Sequence, residues 1–221
     1  ALTPTTPSAA PGFLMSANNG TTGLELFRTD GTAAGTTLLK DINTNTSANP
    51  QSLVVIGSTV YFIARDGLTG ERGDLWKSDG TAGGTVLVKD INPGAGGSLF
   101  NSAPLVVGST LYFMADDGIH GYELWKSDGT AVGTVLVKDI FVGTGAGSGA
   151  AYRWDPTVLV AVGTTVYFSG YDGVTGHELW RSDGTEAGTA MVKDIGTASD
   201  SADISAAVTI NGVSYFSADD G

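Results

Sequence analysis

Two histidines, His120 and His177, are the only side chains in the sequence that titrate near neutral pH without a strong perturbation. They lie in the segments DDGIHGYE and YDGVTGHE, and neither segment has the HExxH spacing of a zinc site. No Gly-x-Ser-x-Gly sequence offers a serine nucleophile, and the chain contains no Cys. Acidic pairs such as Asp116-Asp117 recur along the chain, whereas catalysis needs one asymmetric constellation. We therefore predict exposed loop histidines and no enzymatic activity.

Repeated Asp-Gly dipeptides in an acidic chain could offer oxygen ligands to calcium. No DxDxDG string occurs, however, and each dipeptide has too few neighbouring carboxylates to form a cage by itself. Asp and Gly are also the residues that tight turns between strands require. We assign these aspartates to turns and expect no cofactor, with calcium as the weaker alternative.

Charge and composition exclude several classes of partner. The 221 residues include 11 Lys+Arg and 23 Asp+Glu, which gives a net charge of −12. This charge opposes binding to nucleic acid and to an anionic membrane surface. No apolar run approaches the roughly 20 residues that span a bilayer, so we predict no membrane insertion. The 33 glycines favour many turns and few helices.

The chain is a tandem array. Asp-Gly-Thr begins at four positions that are 49, 49 and 55 residues apart, namely Asp30, Asp79, Asp128 and Asp183. Each copy follows an acidic–Leu–aromatic triplet and is followed by Gly-Thr and then by Lys-Asp-Ile. A Tyr-Phe pair recurs further upstream, beginning at Tyr61, Tyr112, Tyr167 and Tyr215. Self-similarity at such a period is the signature of a repeat architecture.

Each unit predicts four short strands. First strands are expected near 52–56, 103–107, 157–162 and 206–210, and second strands near 13–17, 59–64, 110–115, 165–170 and 213–218. Two-residue turns such as Gly57-Ser58 and Asn211-Gly212 separate them, and the Asp-Gly-Thr turn separates a third strand (123–126) from a fourth (134–140). We predict an all-β fold, a β-propeller of about four four-stranded blades over 13–221, with a segment of a longer array as the alternative.

The two chain ends hold complementary pieces of one unit. Residues 24–42 supply a third and a fourth strand, and residues 206–218 supply a first and a second. Joined within one chain, they form a composite blade and leave strand 13–17 surplus. Joined between copies, they form a fibre by strand addition. An open sheet edge is unfavourable, so we expect self-closure, with polymerisation as the alternative.

The segment ELWKSDGTAVGTVLVKDI at 123–140 resembles the ELWxxDGT repeat of secreted and surface bacterial proteins. The resemblance extends from residue 13 onward, with departures at Phe27, Asp74 and Leu14-Met15. It implies a propeller-like, extracellular, non-catalytic repeat protein. Such a protein would have itself or surface glycans as partners.

One enlarged connection, 141–156, carries the aromatic segment Tyr152, Arg153 and Trp154. In a propeller, this connection opens on the same face as the loops between second and third strands. Four further residues would share that face: His120, Tyr122, Tyr171 and His177. Such a face suits stacking on sugar rings, and the alternative is that these aromatics cap the central channel.

Residues 1–12, ALTPTTPSAAPG, are predicted to form an extended tail outside the repeat domain. Their composition is that of an O-glycosylated linker, which makes Thr3, Thr5, Thr6 and Ser8 candidate acceptors. Asn19 and Asn45 begin N-glycosylation sequons in predicted loops.

Overall fold

The computed structural model describes residues 12–67, 73–93, 103–142, 158–196, 202 and 204–220. These residues form β-strands and no helix, which confirms the all-β prediction. The strands are β1 (Phe13–Asn18), β2 (Leu24–Thr29), β3 (Thr37–Lys40), β4 (Gln51–Ile56), β5 (Thr59–Ala64), β6 (Asp74–Ser78), β7 (Val86–Lys89), β8 (Leu105–Val107), β9 (Thr110–Asp116), β10 (Tyr122–Ser127), β11 (Val135–Leu136), β12 (Val158–Val162), β13 (Thr165–Tyr171), β14 (His177–Ser182), β15 (Ala190–Lys193), β16 (Ser205–Ile210) and β17 (Val213–Ser217).

The strands pair antiparallel with their neighbours in the chain. We call β1–β3 the first sheet, β4–β7 the second, β8–β11 the third, β12–β15 the fourth and β16–β17 the terminal hairpin. The second, third and fourth sheets each have the four strands predicted for one repeat unit. β11 is shorter than the predicted strand 134–140, although the chain stays beside β10, where Val137 N donates to Leu124 O at 2.8 Å.

Two-residue turns join the first two strands of each unit, as the sequence predicts. The first turn residue has positive φ in every case: 61° at Gly57, 62° at Gly108, 61° at Gly163 and 51° at Asn211. Positive φ at this position fits the primed turns that match the twist of a β-hairpin. Glycine and asparagine are therefore placed where the backbone requires them.

Each sheet packs face to face on the next sheet along the chain. Tyr61 and Leu75 of the second sheet lie in one buried cluster with Phe113 and Trp125 of the third. Because side chains alternate across a strand, Trp76 points the other way and packs against the first sheet. The Leu-Trp pair of each triplet therefore contributes to both neighbouring interfaces.

The Asp-Gly-Thr turns have a common hydrogen-bonded structure. Asp128 Oδ1 accepts hydrogen bonds from Thr130 N at 2.8 Å and from Thr130 Oγ1 at 2.7 Å. Thr130 Oγ1 in turn accepts from Gly133 N at 2.9 Å. The hydroxyl of Thr130 holds the pKa of the Asp128 carboxyl below its ordinary value. The same bonds recur at Asp30, Asp79 and Asp183, which confirms that these aspartates form turns.

Side chains of the preceding sheet also contact the Asp-Gly-Thr turns of the third and fourth sheets. Lys77 Nζ of the second sheet donates to Gly129 O at 2.8 Å, and Lys89 Nζ donates to Thr134 O at 2.8 Å. The Tyr61 hydroxyl occupies the place that a Cβ on Gly129 would take. A tyrosine and two lysines thus join the second sheet to the turn of the third.

The junction of the third and fourth sheets repeats this arrangement. Lys126 Nζ donates to Gly184 O at 2.7 Å, and Lys138 Nζ donates to Thr189 O at 2.9 Å. The Tyr112 hydroxyl lies over Gly184. The contact is therefore a property of the repeat.

The junction of the first and second sheets is incomplete. Lys40 Nζ donates to Thr85 O at 2.7 Å, as in the other junctions. Leu14 stands in the tyrosine position, opposite Arg28 on β2. Apart from Gly80 itself and its two neighbours in the chain, no atom of the described residues lies within 4 Å of the position that a Cβ on Gly80 would take. The tyrosine hydroxyl that lies over the glycine at the other junctions is therefore missing here.

The composite blade expected from self-closure is not among the sheets that the described strands form. β1 pairs with β2 from Phe13 opposite Thr29 to Asn18 opposite Leu24, on the edge where residues 213–218 were expected. β17 pairs with β16, and this hairpin packs beside β12. A short connection joins β1 to β2, so their pairing closes a much smaller loop than pairing with β17 would.

The tyrosine contact predicts different costs for two matched glycine substitutions. Gly31 and Gly129 have φ values of 87° and 85°, so an alanine at either position costs about 1–2 kcal/mol of left-handed strain. Gly31 has open space around it, whereas Gly129 lies under the Tyr61 hydroxyl. We expect Gly129→Ala to lower the free energy of unfolding by about 1–3 kcal/mol more than Gly31→Ala, because of overpacking. Urea unfolding in dilute solution measures both.

Tyr61→Phe provides the control for this comparison, since it removes the hydroxyl and keeps the ring. Combined with Gly129→Ala, it should recover part of the loss, which a double-mutant cycle detects as a coupling energy. Equal costs for the two glycine substitutions would contradict the proposed contact.

Candidate functional site

Buried glutamates lie at the edge of the sheets where the Lys-Asp-Ile segments end and where the loops between second and third strands lie. We call this edge the loop edge. Glu25, Glu123 and Glu178, from the acidic–Leu–aromatic triplets, are buried, and their carboxyl groups accept backbone N–H groups. Glu123 Oε1 accepts from Phe141 N at 2.8 Å. Burial raises the pKa of Glu123 to about 8, although the N–H groups of Phe141 and Ile140 oppose this shift. In three of the four units, a buried glutamate therefore holds the backbone at the end of the Lys-Asp-Ile segment.

That residue packs against the next sheet. Phe141 lies over Gly173, in the loop between β13 and β14. Asn43 over Gly67 and Asn92 over Gly118 are the equivalent pairs in the preceding units. Phe141 was not among the site residues predicted from the sequence. The feature that could have identified it is a phenylalanine after Lys-Asp-Ile, where the two preceding units have asparagine.

Phe141 extends an aromatic row on this edge. Its ring centroid lies 5.5 Å from that of Tyr171, and the Tyr171 ring lies 5.0 Å from the His177 imidazole. Tyr171 and His177 are directly opposite each other on β13 and β14. His177 is buried, so its predicted exposure is wrong: it begins a strand and packs under the Tyr171 ring, which is 40% exposed.

His120 is half-exposed and belongs to a local polar turn. Its Nδ1 lies 2.7 Å from Asp117 Oδ2, and this hydrogen bond raises the pKa of the imidazole. Burial works to raise the pKa of Asp117, but hydrogen bonds from His120 and from Ile119 N lower it overall. The pair fixes the loop between β9 and β10. Its geometry gives it no nucleophile to activate among the described residues.

The predicted aromatic face is only partly assembled by the described residues. Tyr171 and His177 lie together, whereas Tyr122 begins β10 on the neighbouring sheet, opposite Asp116. His120 precedes β10 of the third sheet, whereas the Tyr171–His177 pair belongs to the fourth. Three predicted face residues, Tyr152, Arg153 and Trp154, lie outside the described residues.

Both sequon asparagines lie at the surface. Asn19 is exposed, and its Oδ1 accepts from Thr21 N and Thr22 N at 2.9 Å in a tight turn. Asn45 is also exposed, in the connection between β3 and β4. The other candidate acceptors, Thr3, Thr5, Thr6 and Ser8, are outside the described ranges.

The described ranges hold no group of three or more His, Asp or Glu side chains that could bind a metal ion. Nor do these ranges contain a helix with the length and apolar character to cross a bilayer.

The two ends of the sheet stack expose apolar surface. On the outer side of the terminal hairpin, Val208, Ile210 and Tyr215 are exposed, although their equivalents Val54, Ile56 and Tyr61 pack in the core. On the first sheet, Phe13 is 60% exposed. Single exposed apolar residues are common, but a row of them at a repeat interface marks an interaction surface.

The basic side chains of the fourth sheet that correspond to the lysine donors of the other junctions are also exposed. Arg181 and Lys193 occupy the positions of Lys126 and Lys138, yet their side chains make no hydrogen bond within the described ranges. In these ranges the terminal hairpin consists of two strands, so no Asp-Gly-Thr turn lies beside these side chains. These two side chains were not among the predicted site residues, although the sequence shows a basic residue at both repeat positions.

No protein-family model matches the chain, and no curated protein matches it.

The buried Glu123 predicts a pH dependence of stability. In the folded chain its carboxyl keeps a proton up to about pH 8, whereas its ordinary pKa is 4.5. Between these values the folded state binds more protons, so the free energy of unfolding falls as pH rises. Glu123→Gln keeps the acceptor for Phe141 N and cannot ionise. We expect the Tm of the parent protein to fall relative to this variant from pH 5 to pH 8.

Glu186→Gln, on an exposed turn, controls for the loss of one acidic group. Its melting curve should follow that of the parent protein across the same pH range. A constant Tm difference between the parent protein and Glu123→Gln at all pH values would argue against the raised pKa.

Proposed function

We propose that this chain is a non-enzymatic, extracellular structural module of the ELWxxDGT repeat type. Its copies assemble into fibres by β-strand complementation. In this proposal the stacked sheets are blades of a propeller-like array, and neighbouring copies share one blade.

The observation that carries the proposal is the complementarity of the two ends. Among the described residues, the first sheet contains strands that correspond to the second, third and fourth of a unit, and the terminal hairpin contains strands that correspond to the first and second. Open edges of this kind are usually covered in stable proteins. A contact between two different ends of identical chains propagates into a fibre unless it closes into a ring.

The non-enzymatic part of the proposal is supported by what the polar groups do. The buried glutamates accept backbone N–H groups, and the repeated aspartates form turns. The net charge of −12 argues against a nucleic-acid partner. Extracellular location rests on the repeat resemblance and on the two exposed sequon asparagines.

Electron microscopy of the natural protein tests assembly directly. Negative-stain images should contain head-to-tail filaments whose axial repeat is one subunit, because each copy has one donor end and one acceptor end. Isolated discs at high protein concentration would contradict the fibre and favour closed monomers.

A second function, glycan binding, has one observation in its favour. Tyr171 is a partly exposed ring held in place by Phe141 and by the buried His177, and such rings stack on sugars. If this edge binds glycans, Tyr171→Ala should reduce glycan-array signals by about tenfold or more and leave the Tm nearly unchanged. Equal binding by parent and variant would remove Tyr171 from the binding surface.

A further inference from the structure

We propose that the cavity beside Gly80 is the docking site for Tyr215 of a second copy, whose terminal hairpin replaces β1 on the edge of β2. The inference rests on the proposed assembly and identifies the contact that drives it. β1 then acts as a placeholder that covers the edge of β2 in the free chain.

The cavity lies at the incomplete junction of the first and second sheets. It has a volume of about 480 Å³, and its walls include Leu14, Arg28, Val55, Val60 and Gly80. At the next junction the equivalent residues of the second wall, Val106, Leu111 and Gly129, surround the Tyr61 side chain. The cavity is therefore the repeat's tyrosine site without its tyrosine.

β1 is a poor occupant of this site. It carries Leu14-Met15 where the other units have Tyr-Phe, so no hydroxyl reaches Gly80. Phe13, at the start of β1, is 60% exposed. The pairing of β1 with β2 satisfies backbone hydrogen bonds but leaves the space between the sheets unfilled. Cavities of this kind cost stability because their walls lose contacts.

The terminal hairpin carries the missing side chains. Tyr215 and Phe216 on β17 occupy the repeat positions of Tyr61 and Phe62. Phe62 is completely buried, whereas Phe216 is 39% exposed and Tyr215 is 57% exposed. In the register of β5 on β6, Phe216 would lie opposite Phe27, and Tyr215 would lie opposite Arg28. The exchange would then place the Tyr215 hydroxyl over Gly80.

The same exchange completes the other open junction. β2 and β3 of the acceptor copy would bring their Asp-Gly-Thr turn beside the two strands of the donor's terminal hairpin. By the repeat pattern, the donor's Arg181 would bond Gly31 O, and its Lys193 would bond Thr36 O. Gly31 has the open space over its Cα that a tyrosine hydroxyl fills at Gly129 and Gly184. One docking event therefore fills both incomplete junctions.

A second copy is the occupant because a single chain leaves these surfaces unjoined. Both ends are present in one molecule, yet β2 pairs with β1 and β3 while β17 pairs with β16. The donor end and the acceptor end are different surfaces, so the contact between copies is heterologous.

Two end-blocked variants test the assignment. Leu14→Tyr with Met15→Phe restores the repeat sequence in β1, which should fill the cavity in the free chain and block the acceptor end. Tyr215→Ala should block the donor end. We expect each variant alone to raise the concentration needed for filament formation by about tenfold or more. Mixed in equal amounts, they should form dimers, because each variant keeps one intact end.

Val132→Ala is the matched control, since it removes an exposed apolar side chain from the turn between β10 and β11, away from both ends. It should assemble like the parent protein. The restored β1 variant should also have a higher Tm than the parent, which shows that it has not simply failed to fold. Filaments of Tyr215→Ala at the parent concentration would overturn the docking site.

An engineered disulfide between strands shows whether the docked hairpin comes from a second copy or from the same chain. The chain has no Cys, so Ser214→Cys and Thr29→Cys introduce the only thiols, at positions that the proposed register places opposite each other. Oxidation of this double variant should give a ladder of covalent oligomers, and each single variant should give dimers at most. An intrachain disulfide in monomers would overturn the second copy as occupant.

These measurements separate the inference from the proposed function. If the parent protein forms filaments, but the double Cys variant gives no ladder and Tyr215→Ala still assembles, the docking site is overturned and fibre assembly stands. A parent protein that stays monomeric at every concentration in mass photometry would overturn both.

Discussion

The structure depends on the contact between each sheet and the Asp-Gly-Thr turn of the sheet that follows. A tyrosine hydroxyl over glycine and two lysine-to-carbonyl hydrogen bonds fix the position of one sheet on the next. The large buried side chains between the sheets supply most of the apolar burial, but such packing is non-directional. The polar contacts at the turn set the relative position of the sheets, which is why the same three groups recur at each complete junction.

The same contact makes the chain ends unlike any of its internal surfaces. A sheet needs a preceding sheet to cover its turn and a following sheet to accept its lysines. Among the described residues, no sheet precedes the first sheet, and the neighbour that follows the fourth sheet has two strands. The exposed apolar residues of the terminal hairpin and the exposed Arg181 and Lys193 follow from this single incompleteness.

Most strands could be predicted from the sequence because turn residues and Tyr-Phe or Leu-Trp pairs repeat at fixed spacing. The partners of Lys77 and Lys126 could not be predicted, because their acceptors are backbone carbonyls 52 and 58 residues away, and these carry no side-chain signal. The burial of His177 depends on Tyr171, which stands where another unit has Asp116. The pairing of β1 with β2 was missed because the sequence does not show how a nearby, imperfect strand competes with a distant, better one.

The lysine acceptors at the junctions have a consequence for how such a chain can change. A backbone carbonyl is present whatever residue occupies the position, so a unit can be duplicated, deleted or inserted without a matching change in its neighbour. Only the glycine under the tyrosine must be kept, since a side chain there would displace the hydroxyl. Duplication or deletion of a unit can therefore lengthen or shorten the array by one sheet at a time. The surface residues of each unit are free to diverge.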